Sequence, residues 1–259
     1  MEFTSAQVTG FIGGFLWPFM RIGAMLMVAP VFGARTITPA RVRIGIALAM
    51  TWVVYPLLPP PPAVDPLSWD GLMVSANQIL LGIAMGFVLQ LVFSALVVAG
   101  QSIAMTMGLG FAQFVDPNGV QMAVVSQFYT IIGTLLFLAL NGHLVALQVL
   151  LESFRSLPVG VVGASTEGLM QLVLWGGRMF AGALLIALPA IVSITLINIG
   201  FGVMTRAAPQ LNIFGVLFPT TMAAGYVIIF ITLPSLLPRF TDLVMDGFSL
   251  IEQMLASGA

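Results

Sequence analysis

The chain has 259 residues, of which 59% are hydrophobic and 7% charged, with a mean hydropathy of +1.11. Its eight basic residues are all arginine, it has no lysine and no cysteine, and its net charge is −1. A soluble domain carries about 25% charged residues, so a water-covered globule is excluded; so are disulfides, thiolate metal sites and thiol catalysis, and no basic stretch offers a nucleic-acid partner.

The amino terminus reads Met-Glu-Phe-Thr-Ser-Ala-Gln and lacks the positive region of a cleaved signal, so the first apolar block is expected to remain as a span. That block covers 11–32. The connection 33–43 carries Arg35, Arg41 and Arg43, and a second block, 42–58, ends at Pro59. Pro59 to Pro62 is a proline run, read as a stiff polyproline II spacer, followed by Asp65 and Asp70. The third block, 72–107, would extend roughly 54 Å as a helix, against a hydrocarbon core of about 30 Å. It must tilt, project or break.

A fourth block covers 122–150. The connection 151–168 carries Glu152, Arg155 and Glu167. The fifth block, 169–205, is again overlong, with Pro189 predicted to kink it. Arg206 and Pro209 precede a sixth block, 213–237, broken by Pro219 and Pro234; the tail carries Arg239, Asp242, Asp246 and Glu252. About six apolar segments therefore predict an all-α integral membrane protein. Arginine is concentrated in the loops at 33–43 and 206–212, which predicts both termini outside. Trp17, Trp52, Tyr55, Trp69 and Trp175 lie near block ends and suit an interfacial belt.

The stretch 105–119 stands out. Gly108 and Gly110 loosen the end of the third block, and Asp116-Pro117-Asn118-Gly119 is a strong turn signal. Between them sit Phe111 and Phe114. Irregular backbone near membrane depth survives when it is buried in protein or lines an aqueous cavity. Two readings stay open: a hydrophobic plug that closes a pore, or an interfacial loop anchored by its aromatics. The general preference of aromatics for interfaces favours the anchor.

Arg21 and Arg178 lie deep in apolar blocks, where a charge costs at least about 2.5–3.5 kcal/mol. No acid lies inside a block to pair with them. They snorkel, face a hydrated lumen, or meet carboxylates of another subunit; for Arg21 we expect a lumen or intersubunit role. Gln90, Ser94 and Gln101 share one helix face. Gly82 and Gly86 form a GxxxG arrangement suited to close helix packing. Asn198, Gly200 and Gly202 repeat the theme in the fifth block. His143 is the only histidine, which excludes a His-based metal cluster within the chain. Without lysine there is neither a Walker loop nor a Ser–Lys dyad. No catalytic residue, metal or cofactor is expected.

Three stretches together carry a resemblance. Met107-Gly-Leu-Gly-Phe-Ala-Gln-Phe-Val-Asp-Pro117, Leu136-Phe-Leu-Ala-Leu-Asn-Gly-His143 with Ser156-Leu-Pro158, and Asn198-Ile-Gly with Arg206-Ala-Ala-Pro-Gln-Leu-Asn-Ile-Phe214 look like signatures of the FliR family of flagellar type III export proteins. Arg21, Pro30 and Phe32 fit the family's first span, and the resemblance covers essentially the whole chain. It implies a core subunit of the flagellar export gate in the bacterial inner membrane, at the flagellar basal body. It implies assembly with FliP-like and FliQ-like subunits and with FlhB-like and FlhA-like export proteins, around unfolded flagellar substrates in transit. It further implies bent helical hairpins, with a P-like half over 1–150 and a Q-like half over 151–259. In that family the loop matching 106–119 plugs the lumen. The resemblance therefore assigns plug or gating roles to Gly108, Gly110, Phe111, Phe114, Asp116 and Pro117, reversing the preference for the anchor. Arg21, Gln90, Gln101, Arg178 and Arg206 become candidates for lumen or intersubunit polar groups. Injectisome export is the alternative within the family. A self-sufficient secondary transporter is the alternative outside it, disfavoured because no acid lies within a span.

Overall fold

The computed structural model describes residues 5–33, 39–59, 62, 64–109, 123–160, 163, 165–207 and 218–258, and among them every regular element is helical. The α-helices are α1 (Ser5–Val28), α2 (Pro30–Gly33), α3 (Ala40–Val54), α4 (Trp69–Thr106), α5 (Val124–Ala139), α6 (Gly142–Ser156), α7 (Thr166–Ala207), α8 (Phe218–Thr232) and α9 (Leu236–Ser257). Short 3-10 turns occupy Tyr55–Leu57 and Leu233–Ser235. Four stretches, Ala40–Leu57, Trp69–Thr106, Thr166–Ala207 and Phe218–Ser257, are long and apolar enough to cross a membrane, and α5 with α6 forms a fifth if that broken pair is one span. The chain is an all-α integral membrane protein.

Local chemistry explains where these helices start and stop. Ser68 Oγ accepts the Gly71 N–H at 3.1 Å at the start of α4, and Ser165 Oγ accepts the Gly168 N–H at 3.0 Å at the start of α7. Both satisfy amides that have no partner within the helix. Asp70 and Glu167 sit in those first turns, where the helix dipole favours negative charge. The fourth apolar block is not one helix. Asn141 adopts a left-handed conformation, φ 56°, and separates α5 from α6. Pro219 does not break a helix; it stands in the first turn of α8, where a missing N–H costs nothing. Pro234 ends α8 through its 3-10 turn. Pro189 lies inside α7, which runs through it uninterrupted. The tail after Pro234, taken in the sequence only as a charged stretch, forms α9, which buries Leu236, Phe240, Leu243, Phe248, Ile251 and Met254 along one face.

The chain folds into two compact units that interleave along the sequence. The first comprises Met1–Leu91, Leu140–Gly176 and Val244–Ala259; the second comprises Val92–Ala139 and Gly177–Leu243. In the first unit, α1 packs on α4 through glycine. A Cβ at Gly86 would lie 2.8 Å from the Met25 carbonyl oxygen, and one at Gly82 would collide with the Arg21 carbonyl. The GxxxG pair thus lets two backbones meet. Trp17 is fully buried there, its Nε1 donating to Ser75 Oγ at 3.2 Å. Trp17 and Trp175 are therefore core residues, whereas Trp52 and Trp69 are exposed. In the second unit, Phe93 packs edge-on against Phe137 at 5.6 Å and Phe240 at 5.7 Å, joining α4, α5 and α9.

Candidate functional site

The second unit holds the root of the 110–122 segment. Helix α4 ends in a two-bond cap: the Leu109 N–H donates to the Ala104 carbonyl and the Gly108 N–H to the Met105 carbonyl, each at 3.0 Å. Gly108 takes the left-handed conformation, φ +84°. This is the Schellman pattern, with glycine at the position where a Cβ would be strained. Gly108 therefore gives the helix a defined stop instead of loosening it.

The cap leaves the Thr106 carbonyl over, and a side chain from α7 takes it. Asn198 Nδ2 donates to Thr106 O at 3.2 Å, and Thr221 Oγ1 of α8 donates to Asn198 Oδ1 at 3.1 Å. Apolar packing reinforces the junction. Phe218 lies against Gly108, where an added Cβ would come within 3.0 Å of the ring, and the Met107 side chain fills the space beside Gly225. One turn back, Ser126 Oγ of α5 donates to the Val97 carbonyl at 3.0 Å and lies 3.5 Å from Gln101 Oε1. Gln101 is thus placed on the α4–α5 contact. Gly110, Phe111, Phe114, Asp116 and Pro117 lie outside the described residues.

The first unit holds a buried charge. Arg21 has no exposed surface. Its Nε donates to Gln78 Oε1 at 2.7 Å, Nη1 to the Ser153 carbonyl at 2.7 Å and Ser153 Oγ at 3.2 Å, and Nη2 to the Leu157 carbonyl at 2.9 Å. The guanidinium also stacks on Phe154, 4.3 Å from the ring centroid, a favourable cation–π geometry. These partners are neutral. Ser153 lies in the last turn of α6 and Leu157 just after it, where the helix dipole presents partial negative charge; the Ser153 carbonyl also accepts the Leu157 N–H at 3.0 Å. The end of one helix thus takes the part that a carboxylate would otherwise play. Gln78 is fully buried and turns its oxygen to the arginine, leaving Nε2 without a partner; the reverse orientation would set an amide donor against a guanidinium donor.

Gln90 is half-buried on α4, and Arg178 and Arg206 are exposed on α7. Arg206 is in the last turn of α7, where a cation complements the dipole. Among the described residues, no group of three His, Asp or Glu side chains could hold a metal ion. Sequence reasoning missed Gln78, Ser153 and Thr221. A signal did exist for Thr221, in Pro219-Thr-Thr at the start of a helix. None existed for Gln78 or Ser153, because only the fold brings α1, α4 and α6 to one point.

The family model described as bacterial export proteins, family 1, matches residues 12–247. The flagellar biosynthetic protein FliR of Pectobacterium carotovorum subsp. carotovorum is 37% identical over 257 residues, covering 98% of this chain and 97% of that protein. The FliR protein of Escherichia coli K12 is 34% identical over 257 residues, covering 99% and 98%. The FliR protein of Aquifex aeolicus VF5 is 31% identical over 242 residues, covering 93% of each.

Proposed function

We propose a channel role for this chain on the premise that it belongs to family 1 of the bacterial export proteins, with the FliR proteins, and is a membrane component of the flagellar export apparatus. It is a non-enzymatic core subunit of the export gate in the inner membrane at the flagellar basal body. FliP-like and FliQ-like subunits complete the channel, FlhB-like and FlhA-like proteins work with it, and unfolded flagellar proteins pass through. Residues 1–150 form the P-like half and 151–259 the Q-like half. All three relatives above are flagellar, which favours this reading over injectisome export.

Within the gate, the segment bearing Gly110, Phe111, Phe114, Asp116 and Pro117 plugs the lumen. The observation that carries this reading is the root. Helix α4 is stopped at Gly108 by a two-bond cap, so an aromatic-rich segment departs from a fixed point. Two phenylalanines held across a narrow opening would exclude water and ions. Gln90, Arg178 and Arg206 are the polar groups we assign to the lumen or to intersubunit contacts. Arg21 and Gln101 engage their polar atoms inside the chain and serve by holding the helices that carry such a surface.

Deleting 110–115 tests the plug. Ion leakage through the assembled complex should rise while the complex still forms. Unchanged conductance in a normally assembled complex would remove the plug assignment.

A further inference from the structure

We infer that Asn198 is a positioning residue that holds the roots of two segments, 110–122 and 208–217, at one fixed spacing. The inference needs no assumption about what either segment does. Thr106 stands at the end of α4, just before the first segment, and Phe218 opens α8, just after the second. Asn198 belongs to neither. It lies on α7, 92 residues from Thr106 and 23 from Thr221, and its carboxamide uses one end on each.

Three features make this a latch and not incidental packing. First, the donor lands on the Thr106 carbonyl, which neither hydrogen bond of the Gly108 cap uses, so α7 is tied to the last turn of α4. Second, Thr221 is buried, 5% exposed, and its hydroxyl has Asn198 Oδ1 within reach. A buried hydroxyl without a partner costs on the order of a few kcal/mol, so Thr221 is held to that geometry. Third, apolar contacts repeat the polar connection: Phe218 seats on Gly108 and Met107 on Gly225. Both sets of contacts join α4 to α8. A displacement of either root must break the amide bridge or carry the other root with it.

The chain has no cysteine, so paired labels can be introduced without background. Leu109→Cys and Pro219→Cys, carrying nitroxides in the full chain within its native membrane complex, report the spacing of the two roots. The wild type should give one narrow distance distribution. Asn198→Asp keeps the acceptor for Thr221 but replaces the donor with an oxygen that repels the Thr106 carbonyl. It should broaden the distribution and lower export of flagellar protein roughly three- to tenfold, the scale of one lost hydrogen bond, with the chain at its normal level. Thr221→Val should do the same more weakly, and Thr221→Ser, which retains the hydroxyl, should restore both readouts. The double variant Asn198→Asp with Thr221→Val loses both hydrogen bonds and should broaden the distribution further than either single variant. An unchanged distribution and unchanged export in Asn198→Asp would overturn the inference. So would Thr221→Ser behaving like Thr221→Val. If Asn198→Asp does not accumulate, the two Thr221 variants decide on the same readouts. Failure of the plug deletion to alter conductance would leave this spacing untouched, so the two ideas fail separately.

Discussion

The Arg21 cluster and the Asn198 junction solve the same problem by opposite means. Each must satisfy polar groups where water is scarce, and each draws on three segments distant in sequence. Arg21 is a full charge, wholly enclosed, answered by neutral oxygens at the end of a helix, a buried glutamine and the face of Phe154. Asn198 is neutral, half-buried, and answered at both ends of its amide. A buried charge is costly to create and more costly to strip of its partners, so the first arrangement suits a part of the fold that never changes. A neutral bridge of two hydrogen bonds, each worth about 0.5–1.5 kcal/mol net, suits a place where segments meet and can shift. The difference teaches that depth in the membrane alone does not mark a functional polar group; the strength of its attachment has to be considered too.

The largest expected effect comes from breaking the charged side of the comparison. Arg21→Leu leaves the Leu157 carbonyl and the Gln78 side-chain oxygen without their arginine donor inside the first unit, and takes from the Ser153 carbonyl the second of its two donors. The cost should be a few kcal/mol, at about 1–3 kcal/mol for each buried acceptor left without a donor. The chain should fail to accumulate in membranes, as quantitative immunoblotting would show, and export should vanish with it. Arg21→Lys keeps the charge but cannot reach three separate oxygens with a planar fork, so its level should fall between the two. Normal accumulation of Arg21→Leu with a selective loss of export would reverse the assignment and return Arg21 to the lumen.

A smaller effect is expected at the junction. Gly108→Ala forces a Cβ into a left-handed conformation, at a cost of about 1–2 kcal/mol, and pushes on the Phe218 ring. If the junction positions segments, as we infer, the chain should accumulate normally while the spacing of the two roots changes and export falls. A loss of protein level matching that of Arg21→Leu would show that the two regions differ only in charge and not in kind.

Much of this contrast was legible in the sequence, and the part that was not has a physical cause. Hydropathy located α3, α4, α7 and α8 because lipid demands long apolar runs. The close approach at Gly82 and Gly86 followed from small-residue spacing alone. The break at Asn141 was signalled by Asn-Gly, a strong turn dipeptide, but a continuous apolar run masked it. Helix α9 went unread because its charged face outweighed its apolar stripe. For Arg21 the residue types point toward an acid, since charge pairing is the pattern that a sequence displays; backbone carbonyls at a helix end leave no trace in residue types. On sequence alone Gly108 is a source of freedom, because glycine in isolation is permissive. Only the hydrogen bonds around it show that the same permissiveness completes a rigid cap.

The smallest effect tests whether glycine on α7 is used as it is on α4. Gly82 and Gly86 are filled by the α1 backbone, whereas a Cβ at Gly200 would meet nothing within 4 Å. A glycine inside a helix costs roughly 0.5–1 kcal/mol relative to alanine, and among the described residues nothing packs close enough to repay its presence at 200. Gly200→Ala should therefore raise the melting temperature of the detergent-solubilised chain by the few degrees that such a gain implies for a chain above 150 residues. A fall instead would place another part of the chain against that face. Recovery of the variant with the export complex supplies the second half of the comparison. If stability rises while recovery falls, the space beside Gly200 is occupied in the assembly by a backbone from another subunit, as α1 occupies the space beside Gly82. If both hold, that face of α7 meets lipid, and the glycine there answers to neither packing nor the junction at Asn198 two residues away.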